Sequence, residues 1–222
     1  MKLANVIYSF KYGIFLQNFK IWLGRHLGFR FFPYYLMEEG SSVLSNSGSD
    51  PEGFELCVIN HEDLQNPDQF GPSVRLEQWK QRLEKGHVCI ALRKSGEVAA
   101  YCWADTKEFN FRPESFSLKK EEAYLYDAYV EDTFRGQGLA PYMRIQCYRL
   151  LNSRGFNRFY SVSDYFNTPT HRFKKKLNAR AVRLVLKIEL RRKEICHIVI
   201  RDYLKGSETS ASNDGLVDKD LS

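Results

Sequence analysis

One basic residue and several small residues occur close together at residues 135–140, which read RGQGLA. An apolar, tyrosine-rich segment ends just before them at Val130, and an amphipathic segment follows, so they mark a turn from a strand into a helix. Small residues let a ligand approach the backbone closely. The first turn of a helix offers unpaired N–H groups and the positive end of its dipole. Arg135 adds a charge that pairs well with phosphate, so the segment predicts a pyrophosphate-binding turn.

Two better-known phosphate motifs do not fit this segment. A Walker loop needs Gly-Lys-Ser or Gly-Lys-Thr after Gly136, and the dinucleotide fingerprint needs a third small residue where Pro141 stands. Pro141 itself is compatible with a helix, because its missing N–H falls in the first turn. Gly-x-Gly pairs are common, so an ordinary strand-to-helix turn stays an alternative.

The composition narrows the partners that such a site can have. The chain has 222 residues and a formal net charge of +6, so its surface attracts anions. The basic cluster around Lys174 lacks a recognition element or stacking aromatics, so we expect no nucleic-acid partner. The histidines lack metal-ligand spacing, so we expect no metal. The cysteines form no CxxC pair and lie mostly in apolar segments, which is typical of a cytoplasmic protein.

Segments with strand and helix periodicity alternate around the turn. We predict strands at residues 54–59, 87–93, 97–104, 123–130, 159–162, 182–190 and 195–203, and helices at residues 73–84, 138–153 and 168–177. Ser95 and Gly96 predict a tight hairpin between the second and third strands. This order favours an α/β fold in which a mixed sheet carries helices on both faces.

The spacing of Arg135, Gly138 and Ala140 resembles the Arg/Gln-x-x-Gly-x-Gly/Ala signature of the GNAT superfamily of N-acyltransferases. The order of elements over residues 54–203 is also similar to that family, and the signature follows a fourth strand. The resemblance implies a GNAT-like mixed, mostly antiparallel sheet and an acyl-CoA donor, with acetyl-CoA first. It covers most of the chain but not residues 1–50 or the C-terminal tail.

The resemblance also implies where the cofactor binds. In such proteins the strand before the signature is splayed from its neighbour, so its backbone pairs with the pantetheine arm while the turn holds the pyrophosphate. The implied cofactor-binding residues are Ala128, Tyr129, Val130, Arg135, Gly136, Gln137, Gly138, Leu139, Ala140, Asn167 and Lys174.

A second stretch, at residues 167–177, resembles the family's Asn-x-x-Ala/Ser-x-x-Leu-Tyr-x-Lys segment. Asn167 would contact the pantetheine or an ordered water near the thioester, which also makes it a catalytic candidate. Lys174 stands where many members have the tyrosine that protonates the leaving thiolate. A free thiol has a pKa near ~8.5, so water or the helix dipole can serve the thiolate instead.

A general base must take the proton of the attacking amine. Family members often place a carboxylate on the strand before the signature, and the candidates there are Glu122 and Asp127. Side chains alternate along a strand, so these two fall on opposite faces unless a bulge intervenes. A structural or solvent-facing carboxylate stays an alternative for each. His87 and His197 lie at or in strands, and we interpret both as structural.

Residues 1–37 are rich in aromatic and basic residues and have apolar residues at helical spacing, so they predict an amphipathic helical segment. Lys11, Lys20 and Arg25 leave no charge-free stretch of the roughly 18 residues that a membrane-spanning helix needs. Two interpretations stay open. The segment either rests on the inner membrane face as a peripheral contact, or packs on the domain or on the second subunit of a homodimer.

The remaining boundaries follow from composition. Residues 38–53 are rich in Ser, Gly and Asn and predict a flexible linker, residues 54–204 the acyltransferase domain, and residues 205–222 a disordered polar tail. We therefore expect a cytoplasmic protein whose catalytic part is a single domain.

Together these patterns predict an N-acyltransferase that moves an acyl group from acyl-CoA to a small-molecule primary amine. An amphipathic start before a GNAT domain is similar to uncharacterised acetyltransferases of bacterial surface-polysaccharide pathways, which points to an amino sugar. Two alternatives stay open. One is a long-chain N-acyltransferase supplied by acyl carrier protein, and the other is a non-catalytic module that binds CoA or a partner.

Overall fold

The computed structural model describes residues 22, 24–39, 51–72, 74–111, 114–191 and 193–204. These residues form two compact units. The larger unit contains the described residues within 38–161 and 172–179, and the smaller unit contains those within 1–37, 162–171 and 180–222. The domain that we predicted at residues 54–204 therefore supplies residues to both units.

The described elements follow the predicted alternation, with two additions. The strands are β1 (Phe29–Glu39), β2 (Glu55–Ile59), β3 (Val88–Lys94), β4 (Glu97–Asp105), β5 (Glu108–Phe111), β6 (Glu114–Ser117), β7 (Glu122–Val130), β8 (Arg158–Asp164), β9 (Arg180–Leu190) and β10 (Lys193–Asp202). The helices are α1 (Leu76–Glu84), α2 (Leu139–Ser153) and α3 (Thr168–Lys176). The additions are β1 and the short β5–β6 hairpin, whose four-residue strands are too short for a periodic signal.

The larger unit is built on a mixed, mostly antiparallel sheet, as predicted. Its strands follow the order β8-β7-β4-β3-β2. The β2–β3, β3–β4 and β4–β7 pairs are antiparallel, and the β7–β8 pair is parallel. Ser95 and Gly96 both have positive φ at the β3–β4 hairpin, which is the turn that suits the strand twist. In the smaller unit the order is β10-β9-β1, with β9 and β10 antiparallel.

Helices cover both faces of the sheet in the larger unit. On one face, α2 places Met143, Cys147 and Leu151 into a buried apolar cluster with residues of β3, β4 and β7. On the other face, α1 places Trp79 among residues of β2, β3 and β4. Burial of apolar surface on both sides explains why β4 is buried along nearly its whole length. The fold prediction is confirmed on this point.

The prediction for residues 29–39 was wrong. They form strand β1, not the end of a helical segment and the start of a linker. The aromatic residues that we assigned to an amphipathic helix also favour strands, and Glu39, which we placed in the linker, is buried. Residues 22 and 24–26 are helical. Residues 1–21, 23, 40–50 and 205–222 lie outside the described residues, so the helix, linker and tail predicted there stay predictions.

Two further properties of the described residues concern membranes and metals. No helix in this part of the chain is both long enough and apolar enough to cross a bilayer. The histidine, cysteine, aspartate and glutamate side chains in the same ranges form no group that could hold a metal ion.

Candidate active site

The strand before the glycine-rich turn has an unpaired edge. β7 pairs in parallel with β8 only from Glu122 to Tyr124, although β7 continues to Val130. On its other side β7 pairs with β4 as far as Val130. In the described structure the backbone of Ala128 and Tyr129 therefore has a strand partner on one side only. This is the splayed edge on which an extended ligand can add as a further strand.

A β-bulge lies in the middle of this edge. Tyr101 pairs with Tyr129 and Trp103 with Tyr126, so two residues of β7 oppose one residue of β4. Asp127 lies in the bulge with φ of 48°, a left-handed conformation that is uncommon for a residue other than glycine. The extra residue changes the alternation of side chains beyond Tyr126. This is the intervening bulge that we allowed for, so simple alternation no longer places Glu122 and Asp127 on opposite faces.

Asp127 faces α1. Arg82 of that helix donates from Nη1 to Asp127 Oδ2 at 2.5 Å. The Arg82 guanidinium also lies 5.0 Å above the ring of Trp103 and 5.1 Å above the ring of Tyr126. Cation–π contacts of this kind hold the guanidinium in place. The Asp127 side chain is 41% exposed, so it is held at one oxygen while it stays accessible.

Glu122, the other predicted carboxylate, is buried and bonded within the fold. Its Oε2 accepts the backbone N–H of Lys119 at 3.0 Å, and its Oε1 accepts the Tyr160 hydroxyl at 3.2 Å. Arg158 lies 3.5 Å from the same oxygen. These bonds anchor the start of β7 to β8, so the geometry favours Asp127 over Glu122 as the carboxylate that meets a substrate.

The glycine-rich turn fits a diphosphate. Gly136 and Gly138 have φ of 83° and 73°, in the left-handed region that favours glycine. A Cβ built on either glycine would meet no atom within 4 Å, so that side of the backbone is open. α2 begins at Leu139 with no side-chain cap and no acidic residue in its first turn. Its first N–H groups are therefore available to an anion.

Arg135 is not directed at this open turn. Its Nε donates to the carbonyl oxygen of Val130 at 3.2 Å, and its Nη2 lies 2.8 Å from Asp132 Oδ1. The guanidinium also lies 5.3 Å from the ring centre of Tyr129. The side chain is 56% exposed, so it can leave these contacts for a phosphate.

Asn167 caps α3 in the smaller unit. Its Oδ1 accepts the backbone N–H of Thr170 at 3.2 Å, and its backbone carbonyl accepts the N–H of His171. This is the usual bond of an asparagine at a helix N-terminus. The pantetheine contact and the catalytic role that the resemblance implies for Asn167 stay predictions.

Lys174 lies in the interior of the larger unit, which corrects its assignment to the cofactor. Its side chain is 1% exposed, and Nζ lies 3.2 Å from Glu39 Oε1 and 2.5 Å from Ser161 Oγ. Arg144 of α2 binds the same carboxylate at 3.2 Å, and Tyr148 donates its hydroxyl to it. A lysine held in this way cannot reach a surface phosphate.

The buried carboxylate of Glu39 is the centre of this cluster. Burial alone would raise the pKa of Glu39, but Arg144 and Lys174 outweigh it, and together with hydrogen bonds from Ser161 and Tyr148 they lower the pKa to about 2. Burial lowers the pKa of Lys174 and opposes the effect of Glu39. The cluster holds two cations and one carboxylate in the core, so its charges depend on one another.

A second polar group lies beside Asp127 on the face that α1 covers. His87, just before β3, places Nδ1 2.5 Å from the hydroxyl of Tyr126 and Nε2 3.3 Å from Asp105 Oδ2. We interpreted His87 as structural because it lies at the start of a strand. The three residues come from different strands or their ends, so only strand pairing brings them together.

An acidic cavity of about 490 Å³ opens at the end of β7. Its lining residues are Asp68, Gln69, Phe70, Gly71, Pro72, Glu97, Val98, Tyr129, Glu131, Asp132, Thr133 and Phe134. Carboxylates are the charged groups of this lining. Such a cavity attracts a cation and repels a phosphate. A side chain at Gly71 would overlap the carboxylate of Glu131, so that carboxylate would have to move.

Residues 54–179 match the family described as the acetyltransferase (GNAT) family. No curated protein is detectably similar to the chain in sequence. Solved structures share its fold at low sequence identity, and the chain spans less than two thirds of the length of the three named below.

A Drosophila protein is 13% identical with a TM-score of 0.53, and the match covers 82% of this chain and 59% of that one. A GCN5-related N-acetyltransferase-like protein from Streptococcus suis is 17% identical with a TM-score of 0.50, covering 75% of this chain and 64% of that one. A GCN5-related glucosamine N-acetyltransferase region in a fungal multi-domain β-N-acetylglucosaminidase is 14% identical with a TM-score of 0.50, covering 77% of this chain and 21% of that one.

Proposed function

Because the chain belongs to the GNAT family of acetyltransferases, we propose that it transfers an acetyl group from acetyl-CoA to a small-molecule primary amine. The observation that carries this proposal is the splayed edge of β7 followed by the open glycine turn. The edge supplies backbone groups for a pantetheine arm, and the turn supplies N–H groups for a diphosphate. Each half of the donor thus has a matching surface on one continuous stretch of chain.

The residues of the bulge orient the reaction. The acceptor nitrogen attacks the thioester carbonyl, a C–N bond forms, and the C–S bond breaks to release the CoA thiolate. A backbone N–H near Val130 stabilises the oxyanion that develops on the carbonyl. Asp127 binds the ammonium form of the acceptor through the oxygen that Arg82 leaves free. The thiolate is a stable enough leaving group to take its proton from water.

The acidic cavity favours a cationic acceptor. Asp68, Glu97, Glu131 and Asp132 surround it, and a primary amine is protonated at neutral pH. We propose an amino sugar, a choice supported by the glucosamine N-acetyltransferase region that shares the fold. The long-chain donor stays an alternative that a palmitoyl donor can test.

One observation favours a second function. The position where many relatives carry a tyrosine acid is Lys174, and it is sealed in the core by Glu39 and Ser161. A chain that binds CoA without transferring its acyl group is consistent with this replacement. Retained CoA affinity without turnover on any amine would support it.

The first experiment is calorimetric titration of the protein with acetyl-CoA, dephospho-CoA and palmitoyl-CoA. Saturable binding of acetyl-CoA is expected, and a weaker dephospho-CoA complex would show that the 3′-phosphate meets the basic surface. Tighter binding of palmitoyl-CoA would favour the long-chain alternative. Folded protein that binds no CoA would reject the acyl-CoA proposal.

The second experiment measures turnover. Free thiol released from acetyl-CoA is followed with glucosamine, galactosamine, spermidine and lysine as acceptors, and glycerol serves as the hydroxyl control. We expect release with amino sugars above the rate without an acceptor. If protein that binds acetyl-CoA releases thiol at the same rate with and without each amine, the result would favour the non-catalytic CoA-binding function.

The partners and location are proposed on sequence grounds. Residues 1–37 remain the proposed site of peripheral membrane contact or of homodimer packing, and within them residues 29–37 belong to β1. A test on liposomes should therefore remove residues 1–21 and leave β1 intact. Unchanged sedimentation with anionic liposomes after this deletion would exclude the membrane contact.

A further inference from the structure

Tyr126 is hydrogen-bonded to one ring nitrogen of His87, and the other ring nitrogen lies within ion-pair distance of the Asp105 carboxylate. The Tyr126 hydroxyl lies 2.5 Å from His87 Nδ1, and His87 Nε2 lies 3.3 Å from Asp105 Oδ2. The His87 side chain is 20% exposed and that of Asp105 is 9% exposed. This row of three residues thus begins at the buried carboxylate of Asp105 and ends at Tyr126 of β7, the strand that carries the bulge.

The tautomer of His87 follows from the groups that contact its two ring nitrogens. Asp105 accepts the backbone N–H groups of Lys107 and Glu108 at Oδ1, which fixes its carboxylate. A carboxylate cannot donate, so the Asp105 oxygen beside His87 Nε2 favours the tautomer that carries its hydrogen on Nε2. In a neutral imidazole the other nitrogen then has the lone pair. Tyr126 therefore donates its hydroxyl to Nδ1.

The charges around His87 keep it neutral. Burial lowers its pKa from the ordinary 6.5, and this outweighs Asp105, which raises it. Lys85, just after α1, Arg82 of α1 and Lys107, just after β4, lower the pKa further. At neutral pH the imidazole is free to accept a proton, and Asp105 stabilises the imidazolium that results.

The groups around Tyr126 keep its hydroxyl protonated. Burial raises the pKa of Tyr126, Arg82 opposes that shift, and Asp105, Asp127 and Tyr124 add to it. Tyr126 therefore does not ionise by itself. It can pass on a proton only if His87 takes one at the same time.

The position of Tyr126 connects these three residues with the proposed acceptor. Tyr126 immediately precedes Asp127, and Arg82 contacts both side chains. Tyr126 is partly exposed and lies on the face that Asp127 also takes up. Arg82 therefore holds the Asp127 carboxylate and lies over the ring of Tyr126 at the same time.

We propose that Tyr126 accepts the proton of the attacking amine and passes its own proton to His87, which Asp105 holds in position. This inference rests on the proposed N-acyl transfer. The bound ammonium first loses one proton to water, which frees the lone pair of the nitrogen for attack. As the C–N bond forms, the nitrogen loses its second proton to Tyr126 Oη, and the Tyr126 hydroxyl hydrogen moves to His87 Nδ1. His87 becomes an imidazolium and later returns the proton to water. Tyr126 is the catalytic residue, and His87 and Asp105 act through it.

The decisive variants are Tyr126→Phe and Asp105→Asn. General-base catalysis contributes about 10²–10⁴-fold, so we expect Tyr126→Phe to lower kcat by about 10²-fold with little change in KM. In Asp105→Asn the amide oxygen keeps the place of Oδ1, because it accepts the backbone N–H groups of Lys107 and Glu108. The amide NH₂ group then takes the place of Oδ2 and faces His87 Nε2. The imidazole hydrogen must then move to Nδ1, which removes the acceptor of the Tyr126 hydroxyl.

The matched control is Tyr124→Phe. Tyr124 stacks on Tyr126 with ring centres 5.3 Å apart, and loss of its hydroxyl removes a similar group from the same strand. This variant should keep the wild-type kcat. The wild-type kcat should fall on the acid side of pH 6.5, where His87 becomes protonated, and this acid limb should vanish in Tyr126→Phe. A Tyr126→Phe enzyme with wild-type kcat and an unchanged acid limb would overturn the proposal.

An NMR measurement tests the contacts of His87 independently of enzymatic turnover. Long-range ¹H–¹⁵N spectra of the full-length protein should show His87 as the Nε2–H tautomer, with a pKa below 6.5, and as the Nδ1–H tautomer in Asp105→Asn. A wild-type Nδ1–H tautomer would overturn the relay even in an active enzyme. Wild-type protein that binds acetyl-CoA but acetylates no amine would instead reject the proposed transfer, and the catalytic role of Tyr126 with it.

Discussion

Arg82 on α1 and Asp127 in the bulge of β7 are joined by an ion pair of 2.5 Å. It ties the helix to the strand beyond the point where β7 leaves β8. One carboxylate oxygen is used by this bond, and the side chain is still 41% exposed. The pair thus presents a fixed carboxylate on the acceptor side while the opposite edge of the strand stays open.

Asp127→Asn should weaken acceptor binding more than catalysis. Loss of the charge removes an ion pair with the ammonium, and charge-assisted bonds contribute about 1.5–3 kcal/mol, so KM should rise by about 10- to 100-fold. Steady-state kinetics on the amine and calorimetry with acetyl-CoA check this. Glu77→Gln, on the exposed surface of α1, is the control. A fall in kcat at constant KM would instead make Asp127 the base.

Gly138→Glu should abolish CoA binding. A side chain at φ of 73° is strained, and its carboxylate would repel the diphosphate at the start of α2. Gly155→Glu is the matched control, because Gly155 follows the end of the same helix with φ of 91° and open space around its Cβ. Calorimetric titration should show CoA binding only in the control. Equal affinity of both variants would remove the turn from the binding site.

Glu39→Gln should destabilise the protein strongly. It leaves Arg144 and Lys174 buried without their shared carboxylate, and breaking a buried ion pair costs about 3–5 kcal/mol. Adding Lys174→Met restores the net charge of the cluster, so the double variant should lose less than the sum of the single variants. Urea unfolding measures each free energy. Additive losses would show that the two charges act independently.

Stability should also fall in acid because of Glu39. The pKa of Glu39 is about 2 in the fold and 4.5 in its ordinary state, so folding favours the ionised form. This contribution is complete above about pH 4.5 and is lost as the pH falls towards 2. The pH dependence of urea midpoints should therefore be shallower in Glu39→Gln across this interval. Parallel curves for the two proteins would contradict the assignment.

The features that the sequence predicted are those built from neighbouring residues. The turn at Gly136 and Gly138 could be predicted because φ above zero favours glycine and because a helix start exposes its own N–H groups. The apolar periodicity of α2 and of β7 could also be predicted, because it is a pattern among residues close together in sequence. These elements belong to the part of the chain that matches the family, residues 54–179.

The features that the sequence did not predict depend on partners far along the chain. Residues 29–39 have an aromatic composition that suits either a helix or a strand, and pairing in the fold decides between the two. Lys174 stands at the position of the family's tyrosine, but its ion pair with the carboxylate of Glu39 holds it in the core. Spacing along the sequence carries no information about such distant charges.

The sequence by itself thus determined the glycine turn and the open start of α2, because glycine conformation and helix dipoles are local properties. Only the tertiary structure decided which side chains surround the acceptor. The bulge turns Asp127 towards Arg82, and strand pairing brings His87 to Tyr126, 39 positions away. Side-chain groups of this kind depend on register between strands, and a shift of one residue would send each side chain to the other face.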